Sequence, residues 1–240
     1  MINNRPVIGM VAKHVDFEKN YFADTMFRDE VVNAISKNGG TVVGILNPLA
    51  KVEYVEDDDV LDFKKYEYGK PTTITQEEKE RLFGILDRLD GIVLQGGDKC
   101  DLYEIIIARY ALEKDIPILG ICAGQNVLTW AAKGEIKRVA RPEYHYTMEQ
   151  YVHTINVDKN SKFYQIVKTD KLLVNSRHRY IPIKTGNYNV VAVDDEGNFD
   201  AIEYPGKKFN IGVRFHPESL CDIDEKHNNI FKVFVESCRK

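Results

Sequence analysis

Residues 116–126, IPILGICAGQN, constrain the fold more than any other stretch of the chain. A short apolar run ends in Gly-Ile-Cys-Ala-Gly, and a helical pattern of apolar residues follows it. This order predicts a strand, a sharp turn and a helix, with Cys122 at the turn. Gly120 and Gly124 leave room for a tight turn and for a close approach of the helix to the strand.

Cys122 is a candidate nucleophile at that turn. The arrangement is the cysteine counterpart of the Gly-x-Ser-x-Gly turn, which lifts a nucleophile above the end of a sheet. A thiol at a helix N-terminus meets the helix dipole and free N–H groups, and both favour the thiolate. The alternative is a structural cysteine, because free cysteines are usually buried in the core. The stretch alone leaves the two interpretations evenly balanced.

Composition and charge argue against several classes of function. The net charge of −4 and the pI of about 5.9 give no reason to expect nucleic acid or an anionic membrane surface as a partner. No run of about 18 apolar residues predicts a transmembrane helix, and the first residues lack the apolar core of a signal peptide. The four cysteines show no metal-binding or CxxC spacing. A reduced, cytoplasmic setting is therefore expected, without disulfides.

The first half of the chain alternates strands with helices. Such alternation predicts parallel strand pairing with helical crossovers. The helix that begins near Thr75 has acidic residues in its first turn, as a helix N-terminus favours. The predicted strands cover residues 7–12, 41–46, 92–94 and 116–121, and the predicted helices cover 24–37, 75–89 and 103–114.

The second half has a different character. Short β-prone runs follow one another with turn residues between them, a spacing that predicts hairpins. No shift in composition marks a domain boundary, so we expect one domain over residues 1–240, with an α/β first half and a more antiparallel second half. The predicted strands are 151–157, 172–174, 189–194, 201–203 and 210–215, and a closing helix is predicted around 230–235.

Residues 50–75 depart from both patterns. They contain four adjacent acids at positions 56–59. A metal site there is conceivable, but neighbours in sequence rarely converge on one ion. We therefore expect a solvated loop or a lid over the substrate, and no metal.

A nucleophilic cysteine needs a base and a group that orients the base. The segment His216-Pro217-Glu218 directly follows the last predicted strand. In extended geometry residues two apart share a face, so Glu218 can hold one imidazole nitrogen of His216 while the other faces Cys122. Pro217 stiffens the backbone between them. The alternative is an ordinary surface turn.

Acyl transfer also needs N–H groups aimed at the developing negative charge. Ala123, just past the nucleophile, is one natural donor. Gly96 and Gly97 follow the preceding strand, where glycine lets the backbone approach a substrate, and the Gly97 N–H is the second predicted donor. The alternative is a plain turn.

These segments together resemble the class I glutamine amidotransferase-like family and, within it, the gamma-glutamyl hydrolase branch. The resemblance runs in the family's order over essentially the whole chain, and it implies a three-layer, flavodoxin-like sheet. Residues 174–178, Val-Asn-Ser-Arg-His, look like the Val-Asn-Ser-x-His segment of gamma-glutamyl-gamma-aminobutyrate hydrolase-like members. The other segments are 6–12 with the Gly39-Gly40 helix end, 94–98, 120–124 and 212–218.

The resemblance implies thiol-mediated hydrolysis of a small γ-glutamyl amide. Cys122 would attack the γ-carbonyl with His216 as base and Glu218 as its support, and a γ-glutamyl thioester would then react with water. Gly97 and Ala123 would line the oxyanion hole. No metal or organic cofactor is required. Homodimers are frequent in such families, and the sequence leaves the oligomeric state open.

Several positions depart from the family pattern and leave the substrate open. Asn126 stands where amidotransferases usually have Gln, with Gln125 one residue early, and Ala123 stands where hydrolases commonly have Arg. Arg179 and Tyr180 replace a frequent His and Gln. The alternatives are a glutaminase subunit that supplies ammonia to a separate synthase, and a binding protein without activity. The residues implied to bind substrate are Gly96, Gln125, Asn126, Asn175, Ser176 and His178.

Four other residues are predicted to stand outside the chemistry. His145 and His153 are interpreted as structural or rim residues, Trp130 as a core residue and Cys100 as a bystander. Asp98 is expected to cap or shape the oxyanion loop.

Overall fold

The computed structural model describes residues 5–16, 23–46, 69–70, 74–97, 100–139 and 145–240. Within these ranges no helix is both long and apolar enough to cross a membrane. Residues 51–68, which include the four adjacent acids, lie outside the described residues, as does Asp98. The predictions of a lid and of a loop-shaping Asp98 therefore stay predictions.

The first half follows the expected alternation, with a few changes in boundaries. Its strands and helices are β1 (Val7–Val11), β2 (Lys13–Asp16), β3 (Ala23–Met26), α1 (Asp29–Lys37), β4 (Thr41–Ile45), β5 (Gly69–Lys70), α2 (Gln76–Leu86), β6 (Gly91–Leu94), β7 (Cys100–Asp101), α3 (Leu102–Lys114), β8 (Ile118–Ile121) and α4 (Ala123–Ala131).

The second half is mostly short strands. Its elements are β9 (Glu135–Arg138), β10 (His153–Val157), α5 (Lys162–Val167), β11 (Lys171–Val174), β12 (Tyr180–Lys184), β13 (Asn189–Val193), β14 (Phe199–Glu203), β15 (Asn210–Val213), a 3-10 turn (Pro217–Ser219) and α6 (Glu225–Ser237).

One nine-stranded sheet organises the chain, in the order β11-β10-β13-β14-β15-β8-β6-β1-β4. The strands from β15 to β4 pair in parallel, and those from β15 to β11 pair antiparallel. Gly197 and Gly206 adopt positive φ angles of 81° and 76° at the turns on either side of β14. Glycine is the residue that adopts such angles without strain. The α/β first half and the antiparallel second half are both confirmed.

Helices cover both faces of the sheet, so the fold has three layers. Alternate residues of a strand point to opposite faces. In β6, Val93 joins the apolar cluster that contains α1, α5 and α6, whereas Ile92 and Leu94 join the cluster beneath α2, α3 and α4. Trp130 belongs to the second cluster and is 6% exposed, which confirms its prediction as a core residue.

Some elements differ from the sequence prediction. Helix α1 begins at Asp29 rather than at residue 24, because residues 23–26 form a strand that pairs antiparallel with β2. Helix α5 and the two-stranded sheet of β9 and β12 were not predicted. The start of α2 is confirmed: Thr75 caps it, and its side chain and Glu78 exchange hydrogen bonds with each other's backbone N–H groups.

One edge of the sheet collects the polar residues. The parallel strands β6, β8 and β15 end there, and β11 and β13 also end there because they run antiparallel to their neighbours. The strands β10 and β14 begin there. Ligands of open α/β sheets bind outside the carboxyl ends of the parallel strands. Cys122, His153, Asn175, Asp200 and His216 all lie at this edge.

Candidate active site

Cys122 occupies a strained turn between β8 and α4. Its φ of 52° and ψ of −102° are unusual for a residue with a side chain, and such a conformation costs on the order of 1–3 kcal/mol. The Cys122 N–H donates to the Val213 carbonyl at 2.8 Å, which ties the turn to the end of β15. A Cβ placed on Gly124 would lie 2.2 Å from the Leu94 carbonyl oxygen. Only glycine lets the helix begin this close to β6.

His216 and Glu218 are paired within the site. The His216 Nδ1 atom lies 2.6 Å from Glu218 Oε1, and both side chains are buried. The expected extended geometry is wrong, because residues 217–219 form a 3-10 turn. The turn nevertheless brings Glu218 back to the imidazole. The charge of His216 also acts on the Cys122 thiol, and Nε2 is the ring nitrogen that its contact with Glu218 leaves available.

Electrostatics favour a charged Cys122–His216 pair. Burial by itself would raise the pKa of Cys122, but the charge and hydrogen bond of His216, followed by the charge of Arg214, lower it below its ordinary value. Burial by itself would lower the pKa of His216, yet Glu218 and the thiolate outweigh it and raise that pKa to about 10. A thiolate facing an imidazolium is the reactive form of a cysteine nucleophile.

Asn175 fixes the backbone of His216. Its amide Nδ2 donates to the His216 carbonyl at 2.9 Å, and its Oδ1 accepts the His216 N–H at 2.7 Å. The next residue, Ser176, is fully buried and donates its hydroxyl to the His145 carbonyl at 2.9 Å. The structure therefore places these two residues as supports of the loops around the site. Their predicted contact with substrate is untested.

Gly96 packs directly against the reactive pair. A Cβ at this position would lie 2.6 Å from His216 Cε1 and 3.4 Å from Cys122 Cβ. A Cβ added to Gly97 would lie 3.1 Å from the aliphatic carbons Cγ and Cδ of Lys13. Lys13 is itself buried and bonds both carboxylate oxygens of Glu104, at 2.5 and 2.7 Å. A buried ion pair thus supports the loop that carries one predicted oxyanion donor.

Replacing Gly96 by alanine is expected to lower kcat by about 100-fold, because the methyl group displaces the imidazole by a fraction of an ångström or more. Steady-state kinetics measures the loss. Gly84→Ala is the matched control, since a methyl group there would meet the exposed Arg88 guanidinium only at 3.7 Å. A Gly96→Ala variant with the kcat of the wild type would contradict the packing of this loop on His216.

The remaining predicted binding residues lie in different surroundings. The Asn126 Oδ1 atom accepts from Arg214 Nη2 at 2.8 Å, beside the nucleophile turn. The buried Gln125 donates to the Phe199 carbonyl at 3.1 Å, so its amide faces β14. His178 is buried, and burial followed by the charge of Arg214 lowers its pKa well below the ordinary value. His178 is therefore neutral at physiological pH.

Two arginines at the site were missed by the sequence analysis. The Arg177 carbonyl oxygen lies 4.0 Å from Cys122 Sγ, and its guanidinium donates from Nη1 to Ser219 Oγ at 3.2 Å. Its Nε is buried and has no hydrogen-bond partner among the residues that the structure describes. Arg214 is 1% exposed and donates from Nη1 to the Cys122 carbonyl at 3.2 Å. Arg177 occupies the variable position of the Asn-Ser-x-His segment, and its place within that segment could have indicated a residue near the site.

Three histidines cluster beside the nucleophile. The ring centroids of His145 and His178 are 5.0 Å apart, and those of His145 and His153 are 6.1 Å apart. His153 is the first residue of β10, two residues after the predicted start of this strand at position 151. These three histidines are not adjacent along the chain, and the folding of the antiparallel half brings their rings together.

One cluster in the described part of the chain has the donor spacing of a metal site. The donor atoms of His153, Asp194 and Asp200 lie within 4.8 Å of one another. Both carboxylate oxygens of Asp194 already accept hydrogen bonds, from the Glu196 and Asn198 N–H groups and the Asn198 amide, at 2.8–2.9 Å. His153 and Asp200 alone are fewer than the three protein ligands of a catalytic zinc site. The cluster does not form a complete metal site.

Comparisons with known proteins agree with this geometry. A glutamine amidotransferase-like protein of Rickettsia prowazekii is 28% identical over 225 aligned residues, covering 65% of this chain and 79% of that protein. The CTP synthase of Pyrococcus abyssi is 30% identical over 171 residues, covering 56% of this chain. The chain spans about a third of that enzyme's length, 32%.

A solved structure shows the same fold. It is the CTPS glutaminase domain of Trypanosoma brucei with bound acivicin, with a TM-score of 0.62, 14% identity, and coverage of 97% of this chain and 93% of that one. The family model described as Peptidase C26 matches residues 98–218, just over half of the 240 residues. The matched range begins one residue after Gly97 and includes Cys122, His216 and Glu218, the residues of the candidate site. The chain belongs to the Peptidase C26 family, within the class I glutamine amidotransferase-like proteins.

Proposed function

We propose that this protein hydrolyses the amide bond of a small γ-glutamyl compound through a thioester on Cys122. The observation that carries the proposal is the buried His216–Glu218 pair, with 2.6 Å between His216 Nδ1 and Glu218 Oε1, packed together with Cys122 against Gly96. This is the arrangement that nucleophilic acyl transfer needs.

The reaction has two halves. The Cys122 sulfur attacks the γ-carbonyl carbon, and the Gly97 and Ala123 N–H groups stabilise the oxyanion. His216 gives its proton to the leaving nitrogen, the C–N bond breaks, and the amine departs with the γ-glutamyl thioester left on the enzyme. His216 then takes a proton from water, which attacks the thioester and releases glutamate. The proton returns to the Cys122–His216 pair.

Arg177 supports a glutamyl substrate. Its backbone touches the thiol, and its guanidinium lies in the same segment with a buried Nε that has no hydrogen-bond partner in the described part of the chain. A guanidinium binds a carboxylate with paired, charge-assisted hydrogen bonds. The α-carboxylate of a γ-glutamyl group is the matching part of the substrate. Loss of Arg177 would therefore act mainly through KM.

A glutaminase that supplies ammonia to a separate synthase is the second candidate. The similarity to CTP synthase and to a CTPS glutaminase domain favours it. Glutamine is itself a γ-glutamyl amide, so the chemistry at Cys122 would be the same. Asn126, in place of the usual Gln, argues against it.

Glutamate release from a panel of γ-glutamyl amides, glutamine included, separates the two candidates. Turnover of one γ-glutamyl amine or peptide, with glutamine a poor substrate, supports the hydrolase. Turnover of glutamine alone, rising when a synthase is added, supports the glutaminase. An absence of glutamate release with every compound and every partner would overturn both.

A further inference from the structure

We propose that Arg214 is a positioning residue for the nucleophile. Its buried guanidinium holds the backbone of the Cys122 turn and stabilises the thiolate, and the Asp200 carboxylate is its counter-charge. The inference deepens the proposed function, because it assigns a further residue to the same site.

The sheet places Asp200, Arg214 and Cys122 in one row. The Arg214 N–H donates to the Asp200 carbonyl at 2.7 Å, and the Cys122 N–H donates to the Val213 carbonyl at 2.8 Å. The three residues therefore stand at the ends of the neighbouring strands β14, β15 and β8. Since strands of a sheet lie about 4.8 Å apart, Arg214 is one strand spacing from each of the other two.

The Arg214 guanidinium bridges the turn and the helix that follows it. Nη1 donates to the Cys122 carbonyl at 3.2 Å, and Nη2 donates to Asn126 Oδ1 at 2.8 Å. The Cys122 carbonyl belongs to the residue with the strained φ of 52°. A strained conformation persists only when the surrounding contacts hold it. The planar fork of Arg214 supplies two such contacts from one rigid group.

Charge gives Arg214 a second role. The guanidinium is 1% exposed, and a buried charge is costly unless an opposite charge lies nearby. On one side is the thiolate of Cys122, whose pKa Arg214 helps to lower. On the other side is Asp200, which is 1% exposed and whose Oδ1 lies 3.8 Å from His153 Nε2. Burial raises the pKa of Asp200, while His153 and Arg214 favour its charged form.

Groups of alternating charge thus act on one another in succession around the nucleophile turn. The order is Asp200, Arg214, Cys122, His216 and Glu218, from carboxylate to carboxylate. The charged and titratable groups that act on Cys122 are His216, Arg214 and Glu218, and those that act on Asp200 are His153, Asp194 and Arg214. Removal of the arginine should therefore leave His216 as the main stabiliser of the thiolate.

The test is the pH dependence of Cys122 alkylation by iodoacetamide, quantified by peptide mapping. An opposite charge at close range lowers a pKa by about one unit or more, so Arg214→Gln should raise the midpoint by about one pH unit. At a pH below both midpoints the alkylation rate should fall about tenfold. Arg214→Lys should keep a midpoint near that of the wild type. An Arg214→Gln midpoint equal to that of the wild type would overturn the proposal.

Two further variants separate electrostatics from folding. Arg81→Gln is the control: it removes an exposed arginine that pairs with Glu77 on α2, a helix that carries no residue of the site, so the midpoint should stay unchanged. Asp200→Asn should lower the midpoint, because it removes the charge opposing Arg214. A general loosening of the site would instead raise the alkylation midpoint of Cys122. An unchanged or raised midpoint in Asp200→Asn would overturn Asp200 as the counter-charge, even if Arg214→Gln fails to fold.

Alkylation needs no substrate, so this result is independent of the proposed reaction. If no γ-glutamyl compound is turned over and Arg214→Gln still raises the midpoint, the proposed function fails and the role of Arg214 stands. If turnover is found and the alkylation midpoint of Arg214→Gln equals that of the wild type, the proposed function stands and the role of Arg214 fails.

Discussion

Replacing Cys122 by alanine should lower kcat for glutamate release by about 10⁴-fold or more, because the thioester can no longer form. The fold should survive, since Cys122 makes its structural hydrogen bonds through the backbone N–H and carbonyl. Glutamate release by the purified variant measures the effect, and circular dichroism with thermal melting is the control for folding. A Cys122→Ala enzyme with activity near that of the wild type would remove Cys122 from the mechanism.

Replacing His216 by asparagine should lower kcat by about 10³-fold or more, because the thiol loses both its base and the cation that stabilises the thiolate. The pH dependence has a definite sign. The reactive pair forms as the pH rises through the lowered pKa of Cys122, and it is lost as the pH rises through the His216 pKa of about 10. His216→Asn should therefore also slow the alkylation of Cys122 near neutral pH.

His227→Asn is the matched control for that variant. His227 is another buried histidine, and its Nε2 contacts the Leu173 carbonyl at 3.0 Å at the packing interface of α6. Its replacement should lower thermal stability and leave kcat close to the wild-type value. Equal losses of kcat in the two histidine variants would mean that His216 acts through folding rather than through the thiol.

The reactive centre could be predicted because its signals are local. A strand, two glycines and a helix surround Cys122 within nine residues, 116–124, and steric rules alone place a thiol at such a turn. The pairing of His216 with Glu218 was also predicted, although the backbone between them is a 3-10 turn rather than an extended segment. Two residues separate the partners, so either geometry can bring them together.

Other parts of the site depend on contacts between distant segments. Arg214 is 88 residues from Asn126 along the chain, and only the pairing of β15 with β8 brings the arginine to the nucleophile turn. The cluster of His145, His153 and His178 depends in the same way on the antiparallel half of the sheet. No periodic pattern in the sequence encodes these neighbours.

Asn175 shows a different limit of prediction from the sequence. The resemblance marked its segment as part of the substrate pocket, whereas the structure shows two hydrogen bonds from its side chain to the backbone of His216. A motif marks the position of a residue near a site, but not whether the side chain faces the substrate or the scaffold. Both polar atoms of the Asn175 amide contact the backbone of His216, and its contact with a substrate stays a prediction.

The most direct test of the account is to trap the covalent intermediate. The wild-type enzyme is mixed with a γ-glutamyl amide that it turns over, quenched in acid within one turnover, and analysed by intact mass and peptide mapping. A γ-glutamyl adduct is expected on Cys122, absent from Cys122→Ala and sensitive to hydroxylamine as a thioester is. Rapid glutamate release without an adduct at Cys122, or with an adduct on another residue, would contradict it.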